Sequence, residues 1–361
     1  MHLRTPVVVV VLTGFALVGC SGSDGAATPD TTVAASTTTA AAPVTTVVVD
    51  TTVPSTEAAA TSVPVAATVM PLTGLPITEQ GADARPALVA KIDNHPQARP
   101  QFGLNSADIV FEEDVENLTR FAAVYQSTVP ERVGPVRSGR TQDVDLLGSL
   151  AQPMFVWSGG NPNVTRAINA SDLVSLSPSS TNNVGFFRDR RGNEKPEHTL
   201  YARPTEMYAT FWPLFAPAPK QQFQYRADGA APAGTRSGGV NLAMDNVDVD
   251  WVWDVATSSY LRSQDGKPHQ DAELGQVNAA NVVVLEVVYQ PSPADARSPE
   301  AQTVGTGIAS VFTAGSLVTG TWERNDRLEP FVLTADDGSI IELTPGRTWV
   351  ELARKGKTTP A

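Results

Sequence analysis

The chain has one cysteine, Cys20, at the end of an apolar run close to the N-terminus. No disulfide can form within such a chain, so whatever folds must be held by a hydrophobic core alone. With 361 residues, 41% hydrophobic and 18% charged, the sequence is long enough to build one. If Cys20 is modified, the folded part has no thiol chemistry either.

Residues 1–20 read as an export signal. Arg4 supplies the basic start, and residues 7–17 are apolar except for Thr13 and Gly14. That run is too short to span a bilayer stably. It ends in Leu17-Val18-Gly19-Cys20, the pattern of a lipobox, in which a small residue precedes a cysteine that takes up diacylglycerol. Two acyl chains give lasting attachment where one does not. The expectation is a lipid anchor at Cys20 in the cell membrane, with the chain on the extracytoplasmic side. Residues 21–68 follow, rich in Thr, Ala, Val and Pro, with Asp24, Asp30, Asp50 and Glu57 as the only charges. This segment has too little to bury to offset its ordering entropy. It reads as a disordered tether reaching about 40 Å.

Two folded domains are expected beyond it, over residues 69–220 and 240–355, separated by a segment rich in Ala, Gly, Pro and Gln. In the first, residues 86–92, 108–113, 120–126 and 153–157 read as strands, and 137–151 and 205–214 as helices. The second reads as β-rich. Its strands are expected at 247–254, 258–262, 281–289, 306–312, 317–323, 329–333, 339–343 and 348–352, with turns at Asp265-Gly266, Asp337-Gly338 and Pro345-Gly346. The fold class is α+β, a mixed α/β N-terminal domain followed by a β-rich C-terminal one.

Several strings in order carry a family resemblance. They begin with Ile92-Asp93-Asn94-His95-Pro96, Ala98-Arg99-Pro100-Gln101 and Ala107-Asp108-Ile109-Val110. Glu112-Glu113, Thr119-Arg120-Phe121 and Gly134-Pro135-Val136-Arg137-Ser138 with Arg140 follow. Further on come Pro196-Glu197-His198-Thr199-Leu200-Tyr201, Asp265-Gly266-Lys267-Pro268-His269, Gly320-Thr321-Trp322 and Gly346-Arg347-Thr348-Trp349-Val350. Over about residues 71–352 the chain resembles the YerB family of bacterial lipoproteins, whose two domains are of unknown function. The resemblance implies an N-terminal and a C-terminal family domain and a lipid anchor, and brings no mechanism.

Chemistry concentrates in the first domain. Asp93, Asn94 and His95 lie just past an expected buried strand, a common place for a site. Arg99, Arg120, Arg137 and Arg140 add planar forks suited to carboxylate or phosphate. Glu112 and Glu113 point to opposite strand faces, so only one can approach the Asp93 loop. His198 and His269 are secondary candidates in polar loops.

Four pictures follow from these residues. Arginines holding an anionic group would make a binding module, with Asp93 and His95 orienting the ligand. Asp93, His95 and a Glu could hold a metal, though no ligand spacing marks one. His95 or His198 could act as a base with Ser138 or Ser158 as nucleophile, though no nucleophile motif is present. The bland picture pairs the charges with one another and caps a turn with the Asp-Asn-His loop.

The net charge of −12 argues against nucleic acid as a partner. No P-loop, zinc-peptidase helix or paired-cysteine metal site occurs, and no cofactor is expected. The sequence therefore reads as a membrane-anchored binding module, rather than an enzyme, for an anionic cell-wall polymer or envelope protein. A hydrolase or transferase acting on wall polymers, with or without a metal, and a purely structural envelope protein are the alternatives.

Overall fold

Strands β1 (Leu88–Asp93), β2 (Ile109–Val115) and β3 (Leu118–Tyr125) form the centre of the molecule, and nearly every residue in them is buried. Their alternate residues feed two separate cores. Leu88, Ala90, Ile92, Val110, Phe121 and Ala123 face one. Val89, Ile109, Phe111, Ala122 and Val124 face the other. A strand covered on both faces loses the apolar–polar alternation of a half-exposed one, which is why these segments read as continuous apolar runs.

The computed structural model describes residues 69–361 apart from 213–216 and 228. The export signal, Cys20 and the tether expected over 21–68 lie outside the described residues. Among the described residues no helix is long and apolar enough to cross a membrane.

The fold is strand-rich, with few helices and sheets of mixed direction. After β3 come α1 (Gln142–Leu146), β4 (Met154–Val156), α2 (Pro162–Asn169), β5 (Val174–Leu176), the hairpin β6 (Phe186–Arg188) and β7 (Leu200–Ala202), and α3 (Pro204–Phe211). The strands β8 (Gly239–Met244), β9 (Val247–Asp254), β10 (Ser259–Gln264), β11 (Asn281–Ser292) and β12 (Asp295–Gln302) follow. The chain closes with β13 (Gly305–Thr313), β14 (Ser316–Arg324), β15 (Val332–Ala335), β16 (Thr348–Arg354) and β17 (Thr358–Pro360).

Among the described residues the large sheet has twelve strands, with the path β15-β14-β13-β11-β16-β2-β3-β1-β4-β5. β16 pairs in parallel with β2 on one side and β11 on the other, so strands from both sequence segments share one sheet. A six-stranded sheet containing β10, β9, β8 and β17 packs on one face of it. Trp251 and Trp349 meet edge to face there, with ring centroids 5.2 Å apart.

One helical expectation needed correction, and one helix was missed. The helix expected over 137–151 is confined to α1, followed by a short 3-10 turn at Gly148–Leu150. Residues 136–137 run extended beside β1 instead, Val136 bridging Ile92 and Arg137 N–H donating to the Lys91 carbonyl. α2 was not anticipated, although Asn161 caps it and Pro162 occupies its first position, a standard helix start.

Candidate functional site

Strand direction decides which residues meet. β1 is parallel to β4, β4 to β5, β2 to β16 and β16 to β11, and β3 runs antiparallel between β1 and β2. The C-terminal ends of β1, β2, β4, β11 and β16 therefore open at one edge of the sheet, where the β3 N-terminus also lies. That edge of a sheet is where crevices between connections form. Asp93 and Glu113 both stand opposite Arg120 in register there.

Five sequence candidates are held in buried networks. Asn94 donates to Thr119 Oγ1 at 2.7 Å and Gln264 Oε1 at 3.0 Å, and its side-chain oxygen accepts from Arg99 Nε at 3.1 Å. Arg99 also lies 3.5 Å from Asp265. Glu112 accepts both of its 2.8 Å bonds from Arg262 Nη2, and Arg262 Nη1 donates to His269 Nδ1 at 2.7 Å. His269 in turn donates through Nε2 to Gln101 Oε1 at 2.9 Å. Burial, with Arg262 and Arg99 nearby, holds His269 well below its usual pKa. It is a neutral structural histidine. Glu113 points to the opposite face and pairs with Lys91, which also reaches Asp143.

A second group lies at the same edge. Asp93 is buried, with Oδ2 2.6 Å from His198 Nδ1 and 3.3 Å from Arg137 Nε. Its Oδ1 accepts from the His95 backbone N–H at 3.0 Å. The His95 ring stacks on His198 at 4.2 Å and 12°. Burial and the neighbouring His198 lower the His95 pKa.

A third group lines a cleft of about 910 Å³ at the same edge. Its walls carry Glu116, Arg140, Tyr289, Arg297 and Arg354, with the Ser158–Asn161 loop that leads into α2. Gly159 in that loop has φ +107°, and a Cβ placed there would meet no atom within 4 Å, so the backbone is bare toward the opening. Gly139, beside Arg140, has the reverse constraint: its Cβ would lie 2.8 Å from Ile168 Cδ1 and 2.9 Å from Trp157 Cε3.

Arg354 is fixed from two sides. Its Nε lies 2.7 Å from the buried Asp114 carboxylate, and its guanidinium stacks 4.4 Å over the Tyr289 ring. Among the described residues no hydrogen bond occupies its Nη1 or Nη2. Arg140 donates to both oxygens of Glu116. Arg120, behind it, donates to the Ser138 carbonyl at 2.9 Å. Burial, with Arg140 close by, brings Arg120 down to about 10.

Burial works against ionisation of Glu116, but Arg140 and Ser298 outweigh it and hold the carboxyl down at about 2, below its usual 4.5. A carboxyl lowered on folding lends stability above its unfolded pKa, and that stability is lost as the pH falls through the folded value. Glu116→Gln is therefore expected to be less stable than the native chain at neutral pH. The gap should be under about 1 kcal/mol, because Glu116 is partly exposed and solvent screens the pair. It should close between pH 4.5 and about 2. Urea midpoints across that range check it, and a gap that persists at the acid end contradicts the assignment.

Among the described residues no cluster of three or more His, Cys, Asp or Glu is placed to hold a metal ion. Glu112 and Glu113 are turned away from His95 into their own cationic partners. Glu116, Tyr289, Arg297 and Arg354 were missed from sequence. An Arg just past the strand expected at 348–352 was the one local signal for Arg354.

Comparison with known proteins places this geometry in context. Residues 72–212 match the N-terminal domain, and residues 240–350 the C-terminal domain, of the family described as protein of unknown function DUF3048. YerB of Bacillus subtilis (strain 168), a protein named as a lipoprotein, is 29% identical over 299 residues, 78% of this chain and 85% of its own length. The crystal structure of the Bacillus subtilis YerB protein superposes with a TM-score of 0.71 at 26% identity, covering 81% of this chain and 99% of that one.

Proposed function

The chain belongs to the DUF3048 family of YerB-like proteins, and from that premise we propose that it is an extracytoplasmic, lipid-anchored binding module for an anionic component of the cell envelope. The lipobox at Cys20 and the lipoprotein name of the relative support the anchor. The tether would carry the folded part clear of the lipid, into reach of wall polymers and envelope proteins.

The observation that carries the binding reading is Arg354. A guanidinium whose Nε lies against a buried carboxyl and whose centre sits over an aromatic ring has lost rotamer freedom before any ligand arrives. Its two outer nitrogens then offer a preorganised fork to phosphate or carboxylate. Arg140 and Arg297 stand in the same cleft, and its volume is that of a small-ligand site. Residues 138–164 supply one wall and residues 289–299 another, so the cleft needs both family domains.

The test is a thermal-shift titration of the purified full chain with a polyol-phosphate wall polymer and with a muropeptide. A ligand at 100 times its dissociation constant stabilises by about 2.7 kcal/mol, several degrees in melting temperature. Arg354→Ala is expected to abolish the shift, measured from the variant's own unliganded melting temperature, which should fall because the buried Asp114 loses its cation. A shift that survives Arg354→Ala, or no shift with either ligand, sinks the assignment.

A further inference from the structure

We propose that Asp93, His198, His95 and Arg137 form a hydrolytic centre for phosphodiesters, in which His198 is the general base toward water. This goes beyond the binding function of the cleft and does not depend on Arg354.

The case begins with the Asp93 carboxylate, which has little freedom. Oδ1 accepts the His95 backbone N–H at 3.0 Å, and Oδ2 accepts from His198 Nδ1 at 2.6 Å. A proton on Nδ1 leaves the lone pair on His198 Nε2. That nitrogen has no hydrogen-bond partner among the described residues, yet it is not among the buried atoms sealed from solvent. An imidazole oriented by a buried carboxylate, with its second nitrogen free, is the base half of a hydrolytic triad.

The other two members face the same way in chemical terms. His95 Nδ1 accepts the Gln97 backbone N–H at 3.1 Å, so its proton sits on Nε2 and makes that atom a donor. Arg137 turns Nε toward Asp93 at 3.3 Å, and its Nη1 and Nη2 make no hydrogen bond among the described residues. One small surface thus offers a proton acceptor, a neutral donor and a cationic fork.

Charge selects the substrate class. Arg137 faces Asp93, and Arg120 and Arg140 share Glu116, so these three arginines exceed the two carboxylates by one. A phosphodiester carries one negative charge and balances it, whereas a phosphomonoester dianion overshoots.

In the step, water oxygen attacks phosphorus and gives its proton to His198 Nε2. The P–O bond to the leaving alcohol breaks on the far side of phosphorus, where the leaving oxygen takes a proton from solvent, and the imidazolium releases its own proton to solvent. One water is consumed, and a phosphomonoester and an alcohol are released. Asp93 stabilises the transient imidazolium, while Arg137 and the His95 Nε2–H hold the non-bridging oxygens as their charge grows.

The experiment follows p-nitrophenolate release from bis(p-nitrophenyl) phosphate by the full chain. His198→Ala is expected to lower turnover by about 10²- to 10⁴-fold, with part of the loss restored by added imidazole. Should that variant melt early, the pH–rate profile of the native chain decides, with an expected rise with pH through a single ionisation as the base is freed of its proton. Absent turnover by the native chain, turnover that survives His198→Ala, a profile without that ionisation, or cleavage of p-nitrophenyl acetate in preference to the diester overturns the proposal.

Discussion

Arg262→Ala is expected to destabilise the folded unit by about 3–5 kcal/mol, roughly 10 °C in melting temperature for a chain of this size. The side chains of Arg262 and Glu112 are both fully buried. The guanidinium gives Nη2 to both Glu112 oxygens and Nη1 to Gln264 and His269, among the rings of Trp349, Phe121 and Trp251 at 5.3, 5.6 and 6.0 Å. Its removal leaves a carboxylate stranded in an aromatic cage, with Thr119 and Trp349 the donors that remain among the described residues. Glu351 lies close as well, pushed well above its usual pKa by burial and by Glu112, so the cage already disfavours negative charge. The double variant Arg262→Met with Glu112→Leu should lose less than the two single losses added together, because it strands no charge. Calorimetry of the three variants measures this. A single-variant loss under about 1 kcal/mol would show the network to be dispensable.

Lys91→Met should cost a similar amount on the opposite face of the sheet, with a pH dependence that identifies the cause. Lys91 contacts Glu113 and lies 2.6 Å from Asp143, and all three side chains are fully buried. Burial raises Glu113 to about 7, with Lys91 pulling it down and Asp143 pushing it up. A carboxyl raised on folding lends stability that is full below its unfolded pKa of 4.5 and is lost as the pH climbs to about 7. Without Lys91 the rise is larger, so more is lost over that climb. The gap between variant and native chain is therefore expected to be small near pH 5 and about 3–5 kcal/mol near pH 8. Denaturant melts at the two pH values separate this from lost packing, which would leave the gap constant. Asp143 also accepts the Arg140 backbone N–H at 2.7 Å, so the same cluster anchors the start of α1.

These networks mark how far local reading reaches. The strands of the second half were legible because they alternate and are punctuated by turns: 247–254 was expected as a strand and β9 occupies that span. The buried strands of the first half were legible as apolar runs. The helix over 137–151 was not, because its first residue finds a hydrogen bond to Lys91 of β1, and that distant partner outcompetes local helix propensity. Glu112 and Glu113 were legible as pointing to opposite faces, since side chains on a strand alternate with period 2. Their partners were not, for Arg262 arrives from 150 residues downstream.

The site divides in the same way. Asp93 and His95 stand out in sequence because polar residues after an apolar strand have few structural reasons to be there, and Arg137 and Arg140 stand out as forked cations. Asn94, Arg99 and His269 carry the same local signal, yet they end in a network between the two sheets. Both histidines are buried, and which of them keeps a ring nitrogen free of a hydrogen bond depends on the partners that tertiary packing brings. His269 lies over Arg262, and His198 lies against Asp93.

By itself the sequence determined what depends on neighbours along the chain. Alternation and turn residues placed most strands, and local strings of residues revealed the family. Tertiary structure alone decided what depends on strand order. Parallel pairing of β2, β16 and β11 carries Arg354 and Tyr289 to the same sheet edge as Asp93 and Arg140. Side-chain period reports the face of a strand but not its neighbour, because pairing is settled by long-range packing that leaves no local mark on the residues it brings together.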